Sequence, residues 1–340
     1  MSVPFIFKDL FFKEVAKKGI GMVSCHAHID RAFTITEEMY KQSMELMEKK
    51  WILMRDLKTT EGYFESMEKR FDMYIQNMKE QGVVACRTHV DADSIVGLRV
   101  VELAAKIRDK YKADGSFILQ LVPQPLEGFL NADEDDFDKS KIEVYEKACA
   151  ICDVVGGLPS RDRKLKSGGG DKKHADVLFS IAKNLGKDLD IHIDQENNPD
   201  ERDTEMILNK VIEHNYPGHL TILHGISLAC QPEDYRKKMY ALYKETGTNC
   251  TVSSRAAIGM TQLKDKMAPV HNSIAPAVEM IEAGVNVGIG TDNISDIFIP
   301  NSNGDLWDEI NLFADAVRLY DVEKLATIAC ENGHRTMKIS

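Results

Sequence analysis

Met22-Val23-Ser24-Cys25-His26-Ala27-His28-Ile29-Asp30 is a short apolar run that closes on two histidines. Residues two apart on a strand point the same way, so His26 and His28 can present two imidazoles to one metal. The pattern recurs down the chain. His192 follows Leu189-Asp190-Ile191, His224 follows Thr221-Ile222-Leu223, and Asp292 follows Gly288-Ile289-Gly290-Thr291. Apolar, β-branched-rich runs start near Met22, Val83, Phe117, Asp153, Leu189, His219, Thr248 and Val285. After the first interval these starts lie about 29 to 37 residues apart, the length of one strand-loop-helix-loop unit. Eight such units, each strand apolar on both faces, predict an α/β chain of the (β/α)8 TIM-barrel class. In that architecture all strand C-termini share one face, so side chains distant in sequence converge there.

The intervening stretches read as helices. Val96, Val100, Leu103, Ala104, Ile107 and Tyr111 fall on one face, as do Met67, Phe71, Tyr74, Ile75 and Met78. Gly82, Gly186, Gly247 and Gly284 each stand just before a strand and read as helix ends. The first interval is about 60 residues long and predicts two helices, Glu37–Asp56 and Glu61–Glu80, as an insertion beside the barrel mouth. Ser160–Lys173 reads as a mobile loop by composition, and its three glycines lack the strand and Gly-Lys-Ser/Thr of a phosphate loop.

The 340 residues are 43% hydrophobic and 29% charged, the balance of an ordinary globular protein. A formal net charge of −11 argues against binding nucleic acid. No apolar run is long enough to span a membrane, and Met1 to Lys13 reads as a structured segment and not a signal peptide. Seven scattered cysteines predict reduced thiols and a cytoplasmic location. Cys149 and Cys152 read as core residues on one helix, and Cys25, pointing away from the two histidines, as packing.

Six segments together, His26-Ala27-His28-Ile29-Asp30-Arg31, Arg87-Thr88-His89-Val90-Asp91, Glu127-Gly128-Phe129, His192-Ile193-Asp194, Thr291-Asp292-Asn293 and Asn303-Gly304-Asp305, carry a family likeness over nearly the whole chain. The sequence resembles the amidohydrolase superfamily, in particular its mononuclear group of cytosine deaminase and N-isopropylammelide isopropylamidohydrolase. The resemblance implies one divalent metal ion, zinc or iron, held by His26, His28, His192 and Asp292, with His224 beside it. Three imidazoles and a carboxylate suit either metal and a water activated by it. Asp292 can take that water's proton and His224 can polarise the group attacked. No lysine ends strand four, where binuclear relatives carry a carboxylated one, so one metal is expected and not two.

The sequence also departs from the group. The glutamate that shuttles protons in cytosine deaminase is replaced by Gln195, and Glu196 is the substitute candidate for a catalytic acid. The strand-three glutamine that reads a pyrimidine aligns best with Leu126, with Gln124 two residues earlier. Both changes argue against cytosine itself. Arg31 replaces a lysine, and Arg255 follows strand seven. Candidate substrate-binding residues are therefore Arg31, His89, Leu126, Asp194, Gln195, Arg255, Asn293 and Phe298. Arg161 and Arg163 read as solvated loop charges. Trp307 is a candidate ring cover or a packing residue, and His174, His214, His219, His271 and His334 receive no role.

Relatives carry a small β-sandwich from residues flanking the barrel. With strand one beginning about 21 residues in and the sequence closing at Ser340, residues 1–340 are expected to be one hydrolase barrel without it. The expected activity is release of ammonia or an amine from a nitrogen heterocycle, a small-molecule substrate. The alternatives are hydrolysis of a cyclic or linear amide at the same metal centre, and a non-catalytic binding barrel. A homo-oligomer is left open.

Overall fold

The computed structural model describes residues 5–42, 47–259 and 274–340. Eight parallel strands run in chain order: β1 Met22–Ala27, β2 Val83–Asp91, β3 Ile118–Gln124, β4 Val155–Gly157, β5 Leu189–Ile193, β6 Leu220–His224, β7 Asn249–Val252 and β8 Val287–Ile289. Continuous ladders join β1 to β3 and β4 to β8. Two narrower seams complete the barrel. Asp153 and Val154 donate their amides to the Leu121 carbonyl, and a parallel bridge pairs Ala27 with Asp292.

The helices lie between the strands. α1 (Ile6–Lys18) precedes β1, and the β1–β2 interval holds α2 (Glu37–Tyr40), α3 (Met47–Lys58), α4 (Glu61–Glu65) and α5 (Met67–Glu80). Next come α6 (Arg99–Asp114), α7 (Lys139–Ile151), α8 (Gly170–Leu185), α9 (Asp203–Glu213) and α10 (Glu233–Thr246). The last five are α11 (Ser254–Gly259), α12 (Ala277–Glu282), α13 (Leu306–Val317), α14 (Val322–Thr327) and α15 (Gly333–Met337). None of the described helices is long and apolar enough to cross a membrane. The four glycines before strands all adopt positive φ, between 62° and 86°, as helix ends that turn sharply require.

The first interval thus differs from the two helices expected. Ser66 divides the second, its hydroxyl bonding back to the Gly62 carbonyl at 2.6 Å, a local bond that competes with helix continuation. Residues 43–46 of the first, and His271, lie outside the described residues. α3 is fixed to the barrel by the buried Lys58, which bonds Asp91 at 2.9 Å and Asp93 at 2.6 Å.

Ser160–Lys173 is not the open loop its composition suggests. Pro159–Asp162 forms a 3-10 turn, and Gly170 already begins α8. The buried Asp162 carboxylate accepts from the Phe129 and Leu130 amides and lies 2.6 Å from His174 Nδ1. A Cβ on Gly170 would stand 1.9 Å from the Asp162 carbonyl oxygen, so glycine permits the close packing there. Neither nearby arginine is merely solvated. Arg161 donates to the Leu126 carbonyl at 2.9 Å and lies 3.8 Å over the Trp51 ring, while Arg163 pairs with Glu201 and Asp203.

The main core lies between the strands and the surrounding helices, and a second, small cluster of Val23, Cys25, Ala85 and Met337 fills the barrel floor. Strand one reaches both regions through an irregularity of register. Ser24 pairs with Cys86 and Ala27 with Thr88, so three steps on β1 match two on β2. This one-residue bulge changes the phase of alternation. Cys25 therefore packs against Gly288 inside the barrel, on the same side as His26, correcting the expectation that it points away from the histidines. Its packing role stands. Cys149 and Cys152 are likewise buried core residues.

Candidate active site

Strand alternation, the bulge and two unusual backbone conformations assemble the site. Parallel register places His89 beside Val122, and His192 beside Leu223. His224, at the end of β6, and Asp292, three residues beyond β8, have φ of 74° and 58°, a left-handed conformation uncommon for residues with a Cβ. Such strain concentrates where a fold must aim a side chain. Here it accompanies the convergence of both residues on the inner cluster.

The Nε2 atoms of His26 and His28 stand 3.6 Å and 3.4 Å from Asp292 Oδ1, and His224 Nε2 stands 3.8 Å from Asp292 Oδ2. These separations are too long for hydrogen bonds. Ligand atoms about 2.1 Å from a shared tetrahedral ion lie about 3.4 Å apart, which matches them. Two sets, His26–His28–His192 and His26–His224–Asp292, each bring three ligand atoms within 4.8 Å of one another. Both ring nitrogens of His26 and His192, and Nδ1 of His28, are buried without a hydrogen-bond partner. Buried polar groups are rarely left so. The donor set fits a divalent cation.

Electrostatics keep the His28 and His192 rings available as neutral ligands. Burial, followed by neighbouring positive groups, lowers His28 and His192 well below the ordinary histidine value. Burial also lowers His224, to about 4, despite the opposing Asp292 charge. Burial alone would raise the Asp292 carboxyl, but His26, His224 and His192 hold it well below the usual carboxylate range. A neutral His224 thus faces an ionised Asp292 across the neutral pH range.

The other sequence candidates divide sharply. His89 joins the cluster, with ring centroids 4.9 Å from His26 and 4.6 Å from His192. Arg31 lies beside it, but its guanidinium is already engaged, 3.1 Å from Asp91 and 3.5 Å from Asp296. Phe298 packs 5.1 Å from that guanidinium, and Asn293 donates to Asp296 at 2.6 Å. These three form a wall held by buried acids.

The Asp194 carboxylate accepts from the Asp203 and Thr204 amides and caps the start of α9. That cap uses the left-handed conformation of Asp194, with φ at 51°. Gln195 and Glu196 follow it and are half-buried, with the Glu196 carbonyl accepting from Ser227. Arg255 is half-exposed and its amide bonds Glu309 at 3.0 Å. Trp307 packs with Phe7, Phe11 and Phe12 of α1, resolving its two readings as packing.

The two strand-three candidates, Leu126 and Gln124, are placed differently. Leu126 lies beyond β3, whereas Gln124 ends that strand opposite Asp91. Gln124 is 2% exposed and its side-chain oxygen has no partner. Counting alternation from His89 and Asp91 would have found it. Glu309, missed in the sequence because it sits on a helix, is buried; burial outweighs the Arg255 contacts and raises it to about 7.

A surface cleft of about 600 Å³, lined in part by Arg108, Lys112 and Lys187, is separate from this cluster. Arg108 and Lys187 there bond main-chain carbonyls closing α7. Their charge serves a helix end.

No protein-family model matches the chain. An uncharacterized protein of Haemophilus influenzae is 36% identical over 278 residues, covering 81% of this chain and 95% of its own length. The N-isopropylammelide isopropyl amidohydrolase of Pseudomonas sp. is 25% identical over 299 residues, which is 84% of this chain but 65% of that protein. The chain therefore spans slightly less than two thirds of this second relative. The structure of 5-methylcytosine deaminase from Klebsiella pneumoniae superposes with a TM-score of 0.81 at 22% identity, over 94% of this chain and 75% of that one. The chain thus shares its sequence family with the Haemophilus influenzae protein, resembles the N-isopropylammelide amidohydrolase more distantly, and has the fold of the 5-methylcytosine deaminase structure.

Proposed function

We propose that this protein is a metal-dependent hydrolase that releases ammonia or an amine from a nitrogen heterocycle. The observation that carries this reading is the buried cluster of partnerless imidazoles converging with Asp292. His26, His28, His192 and Asp292 would hold one divalent ion, zinc or iron. Such an ion supplies Lewis acidity and makes water a competent nucleophile near neutral pH.

The protein's own groups supply the remaining chemistry. Asp292, ionised at neutral pH, can accept a proton from the attacking water. His224, neutral there, can donate a hydrogen bond to the atom on which charge develops. Gln124 offers a buried amide to a ring edge, a role supported by its unpartnered oxygen. The wall of Arg31, Asn293 and Phe298 limits the pocket, and Glu196 remains the candidate acid in place of the missing glutamate. The helices of the β1–β2 interval act as an insertion beside this mouth. Residues 1–340 are read as one barrel domain acting on a small molecule, in a cytoplasm that keeps its buried thiols reduced.

Hydrolysis of a cyclic or linear amide is the second reading, favoured by Gln195, because no ring protonation is then required. Purified protein supplied with zinc or ferrous iron should turn over at least one class in a panel of heterocyclic amines and cyclic amides. Ammonia or amine release supports the first reading, and ring opening alone the second. A metal-loaded chain inactive on the whole panel defeats both. On the active compound, Gln124→Leu should lower kcat/KM by about 100-fold, as expected for a lost reading hydrogen bond.

A further inference from the structure

Beneath the histidines lies a buried ion pair that the chemistry above does not use. Arg87 and Asp190 are both essentially inaccessible, and their side chains stand 3.1 Å apart. Arg87 is fully braced: it also donates to the Gln120 side chain at 3.0 Å and to the Thr336 carbonyl at 3.0 Å. Asp190 is not. Its Oδ2 takes the Arg87 bond, but its Oδ1 has no hydrogen-bond partner. Breaking such a pair leaves an uncompensated charge, while replacing the whole pair by apolar residues is often neutral or stabilising. Stability alone therefore gives weak grounds for charges at this depth.

Position supplies better grounds. Alternation along β2 sets Arg87 and His89 on one face, and along β5 it sets Asp190 and His192 on one face. His89 Nε2 lies 4.0 Å from Asp190 Oδ2, and neither His89 nitrogen has a hydrogen-bond partner. The His89 ring stands nearly edge-on to those of His26 and His192, at interplanar angles of 77° and 83°. Histidines in metal sites are held by acceptors behind them, and loss of such support commonly weakens metal binding by about 10- to 100-fold.

We propose that Asp190 is a positioning residue, braced by Arg87, that acts through His89 to fix the orientation of His26 and His192. A ring movement of roughly 1 Å would bring His89 Nε2–H into hydrogen-bond range of the carboxylate. His89 would then form a stop against which the two ligand rings rest. This role rests on the metal reading above.

The test measures zinc affinity by chelator competition, alongside the melting curve of the metal-free protein. Asp190→Leu keeps much of the bulk but offers His89 no acceptor. It should lower zinc affinity at least about 10-fold while leaving a cooperative metal-free melting transition. Should that variant fail to fold, the double variant Arg87→Met with Asp190→Leu removes both charges together and should show the same loss of affinity. A merely structural role would move the metal-free melting point and leave the affinity of the folded protein alone. Zinc affinity within twofold of wild type in either cooperatively folding variant overturns the proposal. A wild-type chain that takes up neither zinc nor ferrous iron overturns the metal reading itself, and this inference with it.

Discussion

Two sets of buried histidine sit in the same barrel and are treated in opposite ways. His174 lies against Asp162, which also takes two backbone amides, so that ring is held by a fixed acceptor. The rings of His26, His89 and His192 are equally buried and have no such partner. Burial by itself does not separate a structural histidine from a functional one. An unmet hydrogen-bonding capacity does, because folding alone gives no reason to leave it.

The largest effect expected from this contrast is on metal content. His26→Ala should reduce bound zinc or iron from about one ion per chain to almost none, while the circular dichroism spectrum stays close to wild type. Retention of a full equivalent of metal by that variant would erase the distinction. Asp162→Ala should do the reverse. It strips the partner from His174 and two buried amides, so unfolding by urea should reveal a loss of about 3 kcal/mol, with metal content per folded chain unchanged.

A smaller effect concerns Glu309. Its carboxyl is raised in the folded protein to about 7, so the folded state binds a proton that the unfolded state releases between the ordinary glutamate range and that value. Stability therefore falls as pH rises through this window. Glu309→Gln removes the titration, so its melting point should gain a few degrees on wild type between pH 5 and pH 8. A constant gap across that range would show that the group does not titrate there.

Much of this organisation is visible in the residues themselves. Strand positions are legible because parallel strands buried on both faces leave continuous apolar runs, and because Gly186 and Gly247 mark helix ends. The histidine set is legible for the same reason, since each member follows such a run. What stays hidden depends on single side-chain bonds. Ser160–Lys173 has the composition of a loop, yet one carboxylate, Asp162, organises it. Asp194 falls beside a metal-site motif, but the nearby amides of α9 claim its oxygens. Gln124 is obscured because matching the later Glu127-Gly128 shifts attention to Leu126. The bulge in β1 is hidden most completely, since no residue type announces it.

That bulge lets two neighbouring residues, Cys25 and His26, both face the barrel interior. Losing Cys25 would restore regular pairing with His26 beside Arg87 and leave the histidine pair facing inward, while taking from the barrel floor the side chain that packs against Gly288. A descendant of this barrel that shortened strand one by that residue would therefore keep its chemistry and lose packing beneath the site.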